Sequence, residues 1–219
     1  MGLRGQLAGA KEVPPQEAAL VEVEAVLYPY RSDEILRELK SRGITRVYSF
    51  GQTRLPNGVR VLGKGKTGVV VLNEDMRALK VRRPDSNKES LEIEAKIQSI
   101  ADGVAPKVYD YGKNFILMDY VPGRPLSRED VWALKRLVLK AHQLELKSVE
   151  HGELSRPWKN VVVRSDGELY ILDFDDATVK PNPKNVTSVL SAFGLWELAR
   201  TYARTKDLPL VLRELDKLT

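Results

Sequence analysis

The chain has 219 residues, 42% of them hydrophobic, enough for one substantial core or two small packed units but not for two large independent domains. It contains no cysteine, which excludes a disulfide framework or a thiolate zinc site and makes the cytoplasm the expected compartment. Lys and Arg number 35 against 30 Asp and Glu, a net charge of +5 that leans toward polyanionic partners, although a solvated mixed-charge surface accounts for it equally well.

Met1 to Lys11 lacks an apolar run, and no stretch has the apolar length needed to cross a bilayer, so a soluble protein, expected to be monomeric, is the reading. The abundance of Lys, Arg and Glu matches proteins from hot environments. Pro14 and Pro15 break the first segment, and Leu20 to Leu27 alternates only in part, consistent with strand or helix. A helix follows, capped by Ser32 and Asp33, striped by Ile35, Leu36 and Leu39 and stopped by Gly43. Strands are predicted at Arg46–Phe50, Val59–Leu62, Gly68–Leu72 and Arg77–Val81, with Asn57-Gly58 as a hairpin signal. A helix is expected after Pro84-Asp85-Ser86, with Ile93, Ile97, Ile100 and Ala101 as its apolar face and Gly103 as its stop. Two more strands, Lys107–Tyr111 and Phe115–Tyr120, flank Gly112-Lys113. Ser127 and Asp130 then open a long amphipathic helix carrying Leu134, Leu137, Val138 and Ala141. Beyond the polar loop His151–Asn160 comes a short hairpin, Val161–Val163 with Leu169–Leu172, turning at Asp166-Gly167. Two helices close the chain, one with Ala192, Leu195, Trp196 and Ala199 on a face, the other started by Asp207 and Pro209.

Gly63-Lys64-Gly65-Lys66-Thr67-Gly68 fits GxGxxG, a spacing that lets backbone amides approach phosphates; a flexible glycine hairpin is the plain alternative. A P-loop is excluded because Arg60 stands where the first glycine is required. A dinucleotide fingerprint fails too, because Val69-Val70-Val71 continues as strand and opens no helix. On the next strand Lys80 is placed to neutralise phosphate charge, with Glu94 on the following helix as its partner and Glu92 and Glu89 as alternatives. Met118, Asp119 and Val121 read either as a hinge presenting backbone groups to an adenine edge or as an ordinary strand end before Pro122-Gly123.

His151-Gly152-Glu153-Leu154, Asn160 and Ile171-Leu172-Asp173-Phe174-Asp175 together resemble the protein-kinase-like superfamily, where HxDLxxxN supplies a base and a metal ligand and a DFG aspartate holds Mg²⁺. The resemblance implies ATP as donor, Glu153 as the base or hydroxyl-orienting carboxylate, Asn160 as a Mg²⁺ ligand and Asp173 as the principal metal ligand. It further implies a two-lobed α+β fold: residues 1–44 as an extension with one helix, 45–121 as an N-terminal lobe of antiparallel sheet plus one helix, and 122–219 as a reduced, mostly helical C-terminal lobe without an activation segment. Three departures stand out. Glu153 replaces an aspartate, its spacing to Asn160 is two residues longer than usual, and Asp175 replaces the DFG glycine. The longer side chain and the inserted Pro157-Trp158 are expected to offset one another; a nucleotide-binding module without turnover is the alternative. His151 is read as a brace for the loop and His142 as a helix residue, while Trp158 either stacks on a base or packs the loop.

With only residues 174–219 after Asp173, no peptide-docking subdomain is expected. That truncation, the HGEL and DFD segments and Val104–Asp110 are similar to compact archaeal kinases related to the Rio group. Among these are predicted Ser/Thr kinases that include an RNA kinase acting on a ribose 2′-hydroxyl of tRNA. The resemblance spans roughly residues 45–219 and implies tRNA as the substrate, with a protein serine or threonine as the alternative. Arg37, Lys40, Arg42, Arg46, Arg54, Arg60, Lys64 and Lys66, with Arg156 and Lys159 beside Glu153, are expected to form a basic rim for an RNA backbone, or else simply to face solvent or ATP.

Overall fold

A computed structural model describes residues 18–218; the break expected at Pro14 and Pro15 lies outside them. The ambiguous segment at residues 20–27 uses both of its periodicities, as strand β1 (Leu20–Glu22) followed by a 3-10 turn, Val23–Val26. Helix α1 (Asp33–Ser41) begins where the Ser32 hydroxyl accepts from the Ile35 amide at 3.4 Å, and Gly43, at φ +72°, turns the chain away after it.

Short strands β2 (Arg46–Tyr48), β3 (Thr53–Arg54), β4 (Arg60–Val61) and β5 (Gly63–Lys64) lead into the longer β6 (Gly68–Asn73) and β7 (Arg77–Arg82). Helix α2 (Glu92–Ile100) precedes β8 (Val108–Tyr111) and β9 (Phe115–Asp119). The strands form an antiparallel sheet in the order β1-β2-β6-β7-β9-β8 with β5 added on β6, while β3 and β4 make a separate hairpin around Asn57-Gly58. Every residue of β6 is buried, because both faces of the sheet are covered. Val69, Val71, Leu79, Val81 and Phe115 share one core with Val23, Val26, Ile35, Leu39 and Ile44, so residues 23–44 are the packing layer of that face. Lys80 takes the opposite face, opposite Val70 and Ile116 in register.

The remaining half is mainly helical. Strand β10 (Arg124–Pro125) precedes α3 (Leu134–Leu146) and β11 (Val149–Glu150); β12 (Val161–Val163), β13 (Leu169–Ile171) and β14 (Thr178–Val179) follow, and α4 (Asn185–Ala192), α5 (Trp196–Thr205) and α6 (Leu208–Asp216) close the chain. Helix α3 is central, its Leu137, Val138, Ala141 and Leu144 packed with Val186, Val189, Tyr202 and Val211. Ile97, Ala101, Val104 and Ala105 join the same core, fixing the end of α2 to the helical half.

Three expectations need correction. Helix α2 starts at Glu92, after an irregular stretch from Pro84, and it turns Ile93 (71% exposed) and Ile100 (42% exposed) outward while Glu94, Ala95, Ile97 and Gln98 face inward. Asp130 does not open α3: its carboxylate accepts from the Ser127 amide at 2.8 Å and from Arg124, and a 3-10 turn, Val131–Ala133, precedes the helix. The face drawn from Ala192 to Ala199 is broken by Gly194 (φ +77°) into α4 and α5, and Trp196 is 59% exposed. Among the described residues no helix is long and apolar enough to cross a membrane.

Candidate functional site

The β5–β6 hairpin carries the glycine loop. Gly65 N–H donates to the Gly68 carbonyl at 2.9 Å, closing the turn, and Arg83 Nη1 donates to the Gly65 carbonyl at 2.9 Å. A Cβ on Gly68 would lie 2.9 Å from the Val81 carbonyl oxygen and 3.0 and 3.1 Å from Cγ and Cε of Lys80, so glycine is required here for the loop to lie on the lysine stem. Thr67 is buried, Lys66 is exposed, and Lys64 lies 4.4 Å over the Tyr28 ring, which Arg83 also covers at 4.9 Å. The supporting pair, Arg83 and Tyr28, was not foreseen; the only signal was a basic pair directly following the lysine strand.

Lys80 is sealed beneath this loop, its side chain 5% exposed, with Nζ 2.6 Å from Glu94 Oε1 and 3.8 Å from Asp173 Oδ1. Among the three glutamates the sequence offered, Glu94 is the partner; Glu92 is exposed and hydrogen-bonds Ser90. Burial alone would lower the Lys80 pKa, but Glu94, Asp173 and Asp175 outweigh it and hold it above its ordinary value, while burial pushes the pKa of Glu94 up against the pull of Lys80.

Met118, Asp119 and Val121 join Lys80, Glu94 and Asp173 around one narrow cleft, completed by Gln98, Pro106 and Leu172. The sequence-predicted cation, carboxylates and strand end therefore converge. Gln98 Nε2 donates to the Pro106 carbonyl at 2.9 Å and lies 3.2 Å from Met118 Sδ, fixing the back wall.

The 151–160 loop is fastened to Asp173 through the backbone. His151 is fully buried; Nε2 lies 2.8 Å from the Leu172 carbonyl, which can only accept, so that nitrogen carries the proton and Nδ1 accepts from the Glu153 amide at 3.4 Å. Burial pushes its pKa down, keeping the ring neutral, and it packs edge-on against Phe174 at 4.9 Å. Asn185, another residue the sequence did not flag, accepts from His151 N–H at 3.0 Å and donates to the Val149 carbonyl at 2.7 Å. The longer spacing after Glu153 is taken up by a 3-10 turn, Pro157–Lys159, which returns Asn160 Nδ2 to 3.0 Å from Glu153 Oε2. The Asn160 carbonyl accepts from Leu172 N–H at 2.7 Å. Asp173 itself sits at φ +63°, in the left-handed region that aspartate enters more readily than most side chains.

Asp175 closes the constellation. Lys88 donates to its carboxylate at 2.9 Å and to its carbonyl, and Thr67 hydrogen-bonds the carboxylate from the glycine loop. Burial would raise the Asp175 pKa, but Lys80, Lys88 and Thr67 together hold it below the usual carboxylate range. Lys88 had no signal in the sequence.

The donor set suits a hard cation. Asn160 Oδ1 is buried with no hydrogen-bond partner, and Lys80 faces an excess of carboxylate in Glu94, Asp173 and Asp175. Among the described residues no three His, Cys, Asp or Glu side chains gather as a ready metal cage. A Mg²⁺ site needs only one or two carboxylates, because substrate phosphates and water complete its shell. The basic rim is only partly present: Arg42 is paired with Asp110 at 2.8 Å and Arg46 with Glu74 at 2.7 Å. No protein-family model matches the chain, and no curated protein matches it.

Proposed function

We propose that this protein is an ATP- and Mg²⁺-dependent phosphotransferase with a two-lobed, protein-kinase-like arrangement, and that it transfers the γ-phosphate to a ribose 2′-hydroxyl of tRNA. The observation that carries the reading is the buried Lys80, fixed between Glu94 and Asp173 directly under Gly68. A lysine held by carboxylates beneath a glycine hairpin suits phosphate charge, and Met118, Asp119 and Val121 border the same narrow cleft, where this reading sets the base.

In this reading Asp173 and Asn160 hold Mg²⁺, which when bound neutralises phosphate charge as the leaving group departs. Lys80 binds and orients the phosphates, and the backbone of residues 63–68 encloses them. Glu153, kept in place by Asn160 Nδ2, accepts a hydrogen bond from the acceptor hydroxyl and takes its proton as the new P–O bond forms. His151 stays neutral and positions the loop. RNA is favoured over a peptide because exposed Arg156 and half-buried Lys159 stand in the loop that carries Glu153, where a polyanionic acceptor meets positive charge.

Lys80→Met and Asp173→Asn are expected to lower phosphoryl transfer by roughly 100-fold or more; Asp173→Asn should leave the melting temperature nearly unchanged, whereas Lys80→Met strands the buried Glu94 and should lower it. Glu153→Gln keeps an oxygen for Asn160 but removes the base, so transfer should fall by roughly 10²–10⁴-fold while ATP affinity holds. Steady-state rates and nucleotide titration check all three; wild-type turnover in Asp173→Asn would remove the site assignment.

A further inference from the structure

Arg156, whose amide donates to the Glu153 carbonyl at 3.0 Å, also lines an open groove apart from the cleft around Lys80. This groove encloses about 630 Å³, within the roughly 300–1,000 Å³ typical of ligand sites. Arg128, Arg156, Trp158, Phe193 and Trp196 line it, with no acidic residue among the lining. Trp196, at the start of α5, is 59% exposed, a large aromatic surface that the fold leaves in water. Arg128 lies 4.5 Å over the Trp158 ring, so that indole is held by a cation on one face. Among the described residues neither Arg128 nor Arg156 has a carboxylate within ion-pair distance, whereas in a second groove at Gly123–Gly167 the corresponding arginines are both paired, Arg124 with Asp130 and Arg164 with Asp166.

We propose that the Trp158–Trp196 groove seats an unpaired nucleotide of the RNA substrate, its base stacked on the exposed indole of Trp196 and its phosphates met by Arg128 and Arg156. Aromatic planes beside unpaired cations are the chemistry that binds single-stranded nucleic acid, because every base offers a π face and every linkage a negative charge. The groove offers no lining carboxylate to a basic side chain, and its two arginines suit a polyanion. Arg156 and Trp158 belong to the loop that carries Glu153, so a nucleotide held here is gripped by the same loop. The inference rests on the RNA-kinase reading and adds where the substrate is gripped.

The test is equilibrium binding of fluorescent bulk tRNA, and of an unstructured oligoribonucleotide, to nucleotide-free protein by anisotropy, alongside ATP binding by the same samples. Trp196→Ala should weaken both RNAs by roughly 5- to 150-fold, Trp196→Phe should restore most of the loss, and Arg128→Ala should weaken binding and flatten its salt dependence. ATP affinity should not change in any of them. RNA affinity unchanged in Trp196→Ala, while the wild-type protein still phosphorylates RNA, would overturn the groove and leave the kinase reading standing. Absence of RNA binding by the wild-type protein would remove both. Labelling of protein instead of RNA, lost in Trp196→Ala, would make the groove a peptide site and overturn the proposal.

Discussion

Gly68 and Lys80 show how little room the site leaves for change. A Cβ at position 68 would meet the Val81 carbonyl at 2.9 Å, a backbone atom that cannot swing away, as well as the lysine stem. Gly68→Ala should therefore cost about 1–3 kcal/mol of stability and weaken ATP binding, as denaturant melts and nucleotide titration would read. His151 makes a second prediction at this scale. Its folded pKa is depressed below 6.5 by burial, so the unfolded chain binds the proton more readily and stability rises with pH between the two values. The contribution is complete above the unfolded value and is lost as pH falls through 6.5 toward the folded one. Melting temperature should drop between pH 7.5 and 5.5, and His151→Gln should reduce that dependence; an equal drop in the variant would contradict a buried neutral imidazole.

Among the elements, α2 is the one whose inward face inverts the usual pattern. Glu94 and Gln98 occupy it because one holds Lys80 and the other fixes Pro106 and Met118, and Ile93 is displaced into water as a consequence. Ile93→Ser should change stability by no more than about 0.5 kcal/mol, whereas Ile97→Ala, in the core with Val104 and Ala105, should cost about 2–5 kcal/mol. Thermal unfolding of both variants checks the assignment. Apolar periodicity alone predicted the opposite face for Ile93, since a polar group buried for function carries no apolar signal. Where burial and local chemistry agree, the sequence was readable: α1 with its Ser32 cap, β6 and β7, the Asp166-Gly167 hairpin, and the Asp207 cap of α6, which accepts from Leu210 N–H at 2.9 Å. Two- and three-residue strands such as β1 and β3 were not, because pairing with distant partners decides them. The α4–α5 break turned on one residue, Gly194, whose left-handed φ is a property of the local fold.

Across the whole molecule, the cleft is held from two directions. Behind it, the end of α2 is buried in the helical core, Lys140 and Lys147 donate to the Gly103 and Asp102 carbonyls at 2.8 and 2.7 Å, and Ile171 N–H donates to the Val104 carbonyl at 3.0 Å. In front, Lys88 and Thr67 meet Asp175. Of the candidate site, the glycine loop, Lys80, Asp173 and the Met118–Val121 strand end were legible because each belongs to a motif with fixed local spacing, while Glu94 was one of three candidate glutamates until the inward face of α2 decided it. Lys88, Tyr28, Arg83 and Asn185 were not, since their roles exist only once distant segments meet.

The most direct test is incubation of the protein with γ-labelled ATP, Mg²⁺ and either bulk tRNA or a protein extract, followed by separate nuclease and protease digestion. An RNA kinase puts label in tRNA that nuclease releases as a 2′-phosphorylated nucleotide, absent in Asp173→Asn. Label confined to protease-sensitive material, or ATP bound with no label transferred to either, would contradict the RNA-kinase reading.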